Sequence, residues 1–100
     1  MSVYDLEVGA AETGTIVLSL QGRLDGEAGK TLVEAAQGAA ANRAFRIEIV
    51  LDGIDSFTEE GIAALGACAR LHGALPGGVA LRAGGGAGRQ ALLAACSAEE

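Results

Sequence analysis

Alternating apolar and polar residues mark the beginning of the chain as extended. In residues 13–25, TGTIVLSLQGRLD, the alternation places Ile16, Leu18 and Leu20 on one face. Val17, Ser19 and Gln21 fall on the other face, and this period of two is typical of a strand with one better-buried side. A weaker alternation runs through residues 3–10, VYDLEVGA, and is followed by a turn around Thr13 and Gly14. The pattern predicts two opening strands that pair as an antiparallel hairpin.

The middle of the chain changes to the helical period and then returns to alternation. Within residues 26–42, small apolar residues recur three or four positions apart, and alanine favours a helix because it has the lowest cost per helical residue. Residues 46–52, RIEIVLD, predict a third strand with aliphatic residues on one face and Glu48 on the other. A carboxylate at this position indicates that the second face of the strand is not fully dry.

The remainder of the chain predicts two helices separated by a short strand. Residues 58–72 have helical spacing and are followed by glycine and proline, which are typical helix stop signals. Residues 78–84, GVALRAG, predict a fourth strand, and a glycine-rich turn at residues 84–88 leads into a last helix over residues 89–100. The order β-β-α-β-α-β-α predicts an α/β fold in a single domain, residues 1–100, with parallel pairing across each strand-helix-strand unit.

Composition and charge restrict the classes of partner. Only 3% of the residues are aromatic and 16 are glycine, so the core must be built from leucine, isoleucine, valine and alanine. The formal net charge of -6 argues against binding to nucleic acid or to an anionic membrane surface, both of which need clustered lysine and arginine. A protein partner with a basic surface is the better match.

The first residues and the cysteines predict the compartment. Residues 1–13 are acidic and lack the basic and apolar regions of a secretory signal, and no apolar run approaches the ~20 residues of a membrane span. Two cysteines, Cys68 and Cys96, do not make a disulfide framework and are expected to be buried thiols in a reducing compartment. The prediction is a cytoplasmic protein that does not insert into a membrane.

Candidate chemistry is sparse. The glycine-rich turn could bind an anion together with Arg89, but it lacks the spacing of phosphate-binding loops, and a flexible turn is the preferred interpretation. Cys68 and His72 lie four residues apart on one predicted helix, yet no third ligand accompanies them. Glu59 and Glu60 are neighbours on a helix and point about 100° apart, so they do not form a catalytic pair. We therefore predict no metal, no cofactor and no enzymatic activity.

The segment around Glu59 and Glu60 is typical of a helix start. If Thr58 is the N-cap, both acids lie in the first turn, where the free N–H groups and the helix dipole favour negative charge. If Ser56 is the N-cap, residues 56–59 form a capping box in which Glu59 reaches back. Helix stability alone explains the acids in either case, and the sequence leaves the two caps open.

Two motifs resemble the STAS domain family, whose fold is that of the bacterial anti-sigma factor antagonists. The first is Gly-Arg-Leu-Asp at residues 22–25, which matches the family's strand end before its first helix. The second is the frame of Gly61, Ile62 and Leu65 at the start of the second helix. The resemblance covers about residues 3–96 and implies a mixed sheet of four to five strands with packed helices.

The family's second helix opens with Asp-Ser-Ser/Thr-Gly, and the resemblance places Thr58 at the Asp, Glu59 at the phosphorylated serine and Glu60 at the third position. A carboxylate cannot accept a phosphoryl group, so the family's kinase-operated switch is predicted to be absent. Glu59 mimics a phosphoserine only in part, with one charge instead of about -1.5 to -2. A competing register keeps Asp55 and Ser56 as the Asp-Ser pair and leaves Ser56 modifiable.

The resemblance implies a non-catalytic protein-binding module that resembles an anti-sigma factor antagonist. The expected binding and regulatory residues are Asp25, Thr58, Glu59, Glu60 and Gly61. The implied partner is an anti-sigma factor kinase or, in the alternative, the ATPase of an ABC-type lipid transporter of which the chain would be a cytoplasmic subunit. A homodimer and a small-ligand-binding domain that uses the glycine turn are further alternatives.

Overall fold

A computed structural model describes residues 4–11 and 14–98, with backbone only for residues 96–98. The predicted order of seven strands and helices is confirmed. The strands are β1 (Tyr4–Ala10), β2 (Thr15–Leu24), β3 (Arg46–Phe57) and β4 (Gly78–Arg82), and the helices are α1 (Gly26–Ala41), α2 (Glu59–Ala69) and α3 (Gly86–Ala98). A short 3-10 helix, Arg70–Ala74, follows α2.

The strands form one mixed sheet in the order β1-β2-β3-β4. β1 pairs antiparallel with β2, from Tyr4 opposite Gly22 to Ala10 opposite Ile16, which confirms the predicted hairpin. β2 with β3, and β3 with β4, pair in parallel across α1 and α2. Strands that follow one another in the chain are therefore neighbours in the sheet, and the carboxyl ends of β2, β3 and β4 lie at the same edge.

All three helices cover the same face of this sheet. The buried positions of the central strands belong to a single phase of the strand alternation and form one core cluster with buried residues of α1, α2 and α3. The fully buried large aliphatic residues of that cluster are Leu18, Leu20, Leu24, Leu32, Ile47, Ile49, Leu51 and Leu65. The residues of the other phase, Glu48 among them, are not fully buried, as the sequence indicated.

Several predicted boundaries differ in the structure, and β4 ends at Arg82 instead of residue 84. β3 continues past residue 52 to Phe57, because its extra residues pair with β2 through two register shifts. The α-helix predicted over residues 58–72 ends at Ala69 and tightens into the 3-10 helix. α3 begins at Gly86 instead of Arg89, so the interpretation of residues 84–88 as a flexible turn is wrong for its second half.

Gly88 lies in the first turn of α3, and a neighbouring residue of β3 requires it to be glycine. A Cβ at this position would overlap the carbonyl oxygen of Leu51, so only glycine lets the helix approach the strand this closely. The glycine is buried. Close helix packing, rather than loop flexibility, accounts for this part of the glycine-rich segment.

Candidate functional site

The two sequence motifs meet at the carboxyl edge of the sheet. β2 and β3 are parallel neighbours, so the segment after Leu24 lies beside the segment after Phe57. The Thr58 N–H donates a hydrogen bond of 3.0 Å to the Leu24 carbonyl oxygen and ties the two segments together. We call the surface formed by Asp25 and residues 58–61 the α2 entry surface. All five predicted site residues lie on it or directly beneath it.

Asp25 is the N-cap of α1. Its Oδ1 accepts a hydrogen bond of 3.0 Å from the Ala28 N–H, and its backbone is extended, as an N-cap requires. Its Oδ2 lies 3.9 Å from Nε of the exposed Arg23. Asp25 therefore has a structural function that is sufficient to explain its presence.

Thr58 is the N-cap of α2. Its Oγ1 accepts a hydrogen bond of 3.3 Å from the Gly61 N–H, and its backbone is extended. Ser56 instead lies within β3, where it pairs with Arg23 and its hydroxyl donates to Asp55 Oδ1. The capping-box alternative with Ser56 is therefore wrong, and Glu59 and Glu60 occupy the first two positions of α2.

Gly61 allows α2 to begin close to the end of β2. A Cβ at Gly61 would overlap the carbonyl oxygen of Leu24 and come within 2.7 Å of Leu24 Cγ. α1 approaches the same turn, since a Cβ at Gly29 would meet the Ala64 methyl group. The frame glycine is thus explained by packing, whether or not a partner contacts it.

Glu59 and Glu60 are the two predicted residues that remain exposed. The Glu60 carboxylate lies against the first turn of α1, with Oε2 2.9 Å from where a Cβ of Gly26 would be. In the described part of the chain the Glu59 carboxylate makes no hydrogen bond or ion pair, so its charge faces solvent. The surface therefore offers fixed negative charge at a helix start.

The glycine-rich segment is poorly suited to an anion. The Gly84 N–H, which a phosphate would need as a donor, already donates to Asp52 Oδ1. This carboxylate lies at the same opening between β4 and α3, which is also lined by Arg82 and Leu92. A bound anion would have to displace or neutralise Asp52.

Cys68 and His72 do not converge on a common ligand. Cys68 is fully buried, as predicted, and burial raises the pKa of its thiol to about 11. His72 is exposed, and its Nδ1 accepts a hydrogen bond of 3.0 Å from the Val79 N–H at the start of β4. Within residues 4–11 and 14–95, no three histidine, cysteine or acidic side chains form a group that could hold a metal. The Cys96 thiol lies outside the described side chains.

Sequence analysis did not predict an apolar groove that lies at the opposite edge of the sheet. Its volume is about 480 Å³, and it is lined by Val8 and Ile16 of the hairpin and by Ala35 and Ala39 of α1. Val8 is 63% exposed although its register partner Leu18 is fully buried on the helix-covered face. Only the small side chains of α1 at these positions hinted at unfilled space.

Comparison of the fold with known structures identifies its type. An anti-sigma factor antagonist from Mycobacterium paratuberculosis superposes with a TM-score of 0.75 at 22% sequence identity, covering 90% of this chain and 75% of the other. This chain has the STAS fold. The anti-sigma factor antagonist SpoIIAA in its unphosphorylated form also matches the STAS fold of this chain, with a TM-score of 0.66 at 19% identity over 77% of this chain and 71% of SpoIIAA.

A further structure with the STAS fold is an uncharacterized Shewanella loihica protein described as SpoIIAA-like, with a TM-score of 0.56 at 14% identity over 82% of this chain and 68% of that protein. No protein-family model matches the sequence, and no curated protein sequence matches it significantly. None of the described helices is both long and apolar enough to cross a membrane. The predicted fold is confirmed, and the predicted site residues stay a prediction.

Proposed function

We propose that this STAS domain is a non-catalytic, cytoplasmic protein-binding module of the anti-sigma factor antagonist kind, which docks its partner through the α2 entry surface. One observation carries the proposal: Glu59 is exposed and unpaired among the described residues, at the start of the helix that bears the regulatory serine in the family. The anti-sigma factor antagonists with the same fold support this role.

The charge of the α2 entry surface favours a basic partner. Glu27, Glu59 and Glu60 lie in the first turns of α1 and α2, and Arg23 is already close to Asp25. Acidic residues at the helix starts do not destabilise the folded domain, because the helix dipoles stabilise their negative charge. A partner surface with arginine or lysine would gain association rate and specificity from this field, and the gain would fall with increasing salt.

The capping geometry favours the register in which Glu59 replaces the phosphorylated serine. In that register Thr58 stands at the family's Asp position, and both residue types are good N-caps. The competing register puts the modifiable hydroxyl at Ser56, which is exposed but lies within β3 and not at a helix start. We therefore propose that this protein binds its partner constitutively, without a phosphorylation switch at the α2 entry surface.

Affinity capture from the native cell lysate tests the docking surface. The wild type, Glu59→Lys and Glu34→Lys are compared, since Glu34 is an exposed acid on α1 and provides the same charge change away from the surface. We expect Glu59→Lys to lose the specific partner, and Glu34→Lys to retain it. Equal capture by all three proteins would rule out the α2 entry surface as the docking site.

The identity of the captured protein separates the two candidate partners. Capture of an anti-sigma factor kinase would support the role of an anti-sigma factor antagonist. Capture of an ABC transporter ATPase would instead support the role of a transporter subunit. If a kinase is captured, incubation with it and ATP tests the register. Glu59→Ser should become phosphorylated while the wild type does not. Phosphate on Ser56 of the wild type would show that the competing register is correct.

A further inference from the structure

His72 covers part of the outer edge of β4. The Nδ1 atom of its imidazole lies 3.0 Å from the backbone nitrogen of Val79 and 3.3 Å from the carbonyl oxygen of the same residue. The N–H and C=O of one residue in a parallel strand point to the same side, so Val79 makes these contacts on the side away from β3. One side-chain atom thus stands where a neighbouring strand would supply backbone partners.

The chain between His72 and Val79 turns back on itself and fixes the position of the ring. The Leu75 N–H donates to the His72 carbonyl oxygen at 3.4 Å, and the Gly78 N–H donates to the Leu75 carbonyl oxygen at 3.1 Å. Gly78 has a φ of 78°, and a Cβ at this position would overlap the imidazole. Glycine therefore provides both the backbone conformation and the space for the ring.

The two contacts of Nδ1 need opposite protonation states. Nδ1 accepts from the Val79 N–H through its lone pair, which requires a neutral ring with its proton on Nε2. Both nitrogens of an imidazolium carry a proton, so Nδ1 then donates to the Val79 carbonyl oxygen and no longer accepts from the N–H. Histidine changes its charge between about pH 5 and 8, and His72 is the single histidine of the chain.

The charged groups around the 3-10 helix do not hold His72 in one protonation state. This helix packs against α2, β4 and α1. The ionisable side chains of these elements and of the 3-10 helix itself are Glu59, Glu60, Cys68, Arg70, Arg82, Glu27, Lys30 and Glu34. Arg46 of β3, beside Gly78, bonds the Gly77 carbonyl oxygen. In the described part of the chain no carboxylate forms an ion pair with the imidazole.

We propose that the contact between His72 and Val79 is a proton-operated switch at the edge of β4. In the neutral ring Nδ1 accepts from the Val79 N–H. When the exposed ring takes up a proton from solvent, Nδ1 donates to the Val79 carbonyl oxygen and the N–H is released to water. Mild acid therefore loosens the start of β4 on the side away from β3. This switch does not depend on the function of the α2 entry surface.

NMR spectroscopy of the full chain between about pH 8 and pH 5 tests the switch. The proteins are wild type, His72→Asn and His72→Ala. Asparagine places its Oδ1 where the imidazole has Nδ1 and accepts a hydrogen bond throughout this range, whereas alanine offers no acceptor. The nitrogen chemical shift of Nδ1 should show an unprotonated atom at about pH 8. The Val79 amide shift should then change with the same midpoint as the ring, and only in the wild type.

Exchange of the Val79 amide with water gives the size of the effect. At about pH 8 the alanine variant should exchange about two- to tenfold faster than the other two proteins, as expected for loss of one hydrogen bond. At about pH 5 the wild type should exchange as fast as the alanine variant, while the asparagine variant stays slow. Comparison of the proteins at the same pH removes the intrinsic effect of pH on exchange. The amide of Ile49, which is fully buried, should exchange equally in all three.

Four results would overturn the proposal. The first is a proton on Nδ1 of the neutral ring, since the Val79 N–H would then have no acceptor. The second is a Val79 amide shift that does not follow the ring titration. The third is equally slow Val79 exchange in the wild type and the asparagine variant at about pH 5. The fourth is acid-induced exchange that rises at Ile49 as much as at Val79, because that would report unfolding of the whole domain.

Discussion

Replacing Gly61 with alanine measures how closely α2 approaches the end of β2. The glycine has no positive φ, so an alanine adds no backbone strain, and the three atoms nearest to an added Cβ all belong to Leu24. The carbonyl oxygen would have to move by roughly 1 Å to reach an ordinary van der Waals separation. The first turn of α2, which is held to Leu24 by the Thr58 N–H, would be forced away.

The cost of Gly61→Ala can be worked out from these contacts. Overpacking a tight site costs about 1–3 kcal/mol, and loss of the Thr58 to Leu24 hydrogen bond adds about 0.5–1.5 kcal/mol. The higher helix propensity of alanine offsets about 1 kcal/mol of this loss in the free energy of unfolding. The free energy of unfolding should therefore fall by about 0.5–3.5 kcal/mol, which corresponds to a Tm lower by roughly 2–28 °C for a domain of this size.

Urea unfolding followed by circular dichroism gives the free energy directly, and Gly38→Ala is the matched control. Gly38 lies in α1, is exposed and has nothing within 4 Å of an added Cβ. This control should gain about 0.5–1 kcal/mol from helix propensity and reduced freedom of the unfolded chain. If Gly61→Ala were as stable as the wild type or gained as much as Gly38→Ala, α2 could not approach Leu24 as described.

Two further predictions concern single side chains. Asp25→Ala should lower the free energy of unfolding by about 1 kcal/mol in the same urea assay, because it removes the N-cap of α1. Asp25→Asn keeps a capping oxygen and should stay within a few tenths of a kcal/mol of the wild type. Equal losses in the two variants would assign the effect to the ion pair with Arg23 instead of the cap. Because burial raises the pKa of Cys68 from 9.0 to about 11, the folded state favours the neutral thiol, and stability should fall as pH rises from about 9 to 11. Cys68→Ala should lack this slope when the two proteins are compared at each pH, and a slope shared by both would place its origin elsewhere.

Hydrophobic periodicity predicted the number, type and order of the strands and helices. Patterns of this kind depend on burial of one face, and the faces of β2, β3 and α1 are strongly differentiated. The second half of β3 was missed because Asp55 and Ser56 are polar and exposed, and pairing with β2 holds them extended. Such tertiary pairing leaves no local signal.

The site was predicted only in part. Capping propensity identified the start of α2 but could not choose between Thr58 and Ser56, since both hydroxyls suit an N-cap and the choice depends on where β3 ends. The family resemblance predicted that Asp25 and the second motif belong to one site. The parallel pairing of β2 and β3 explains why they are neighbours, because both follow the carboxyl ends of adjacent strands. The need for glycine at Gly61 and Gly88 could not be predicted, because it comes from carbonyl groups distant in sequence.

The sequential strand order places β3 between two hydrogen-bonded parallel neighbours, whereas β4 pairs with β3 alone among the described strands. Hydrogen exchange should therefore be slower in β3 than in β4. An engineered additional strand and helix could be appended beside β4 without changing any existing register, whereas an insertion between β2 and β3 would separate the two halves of the α2 entry surface.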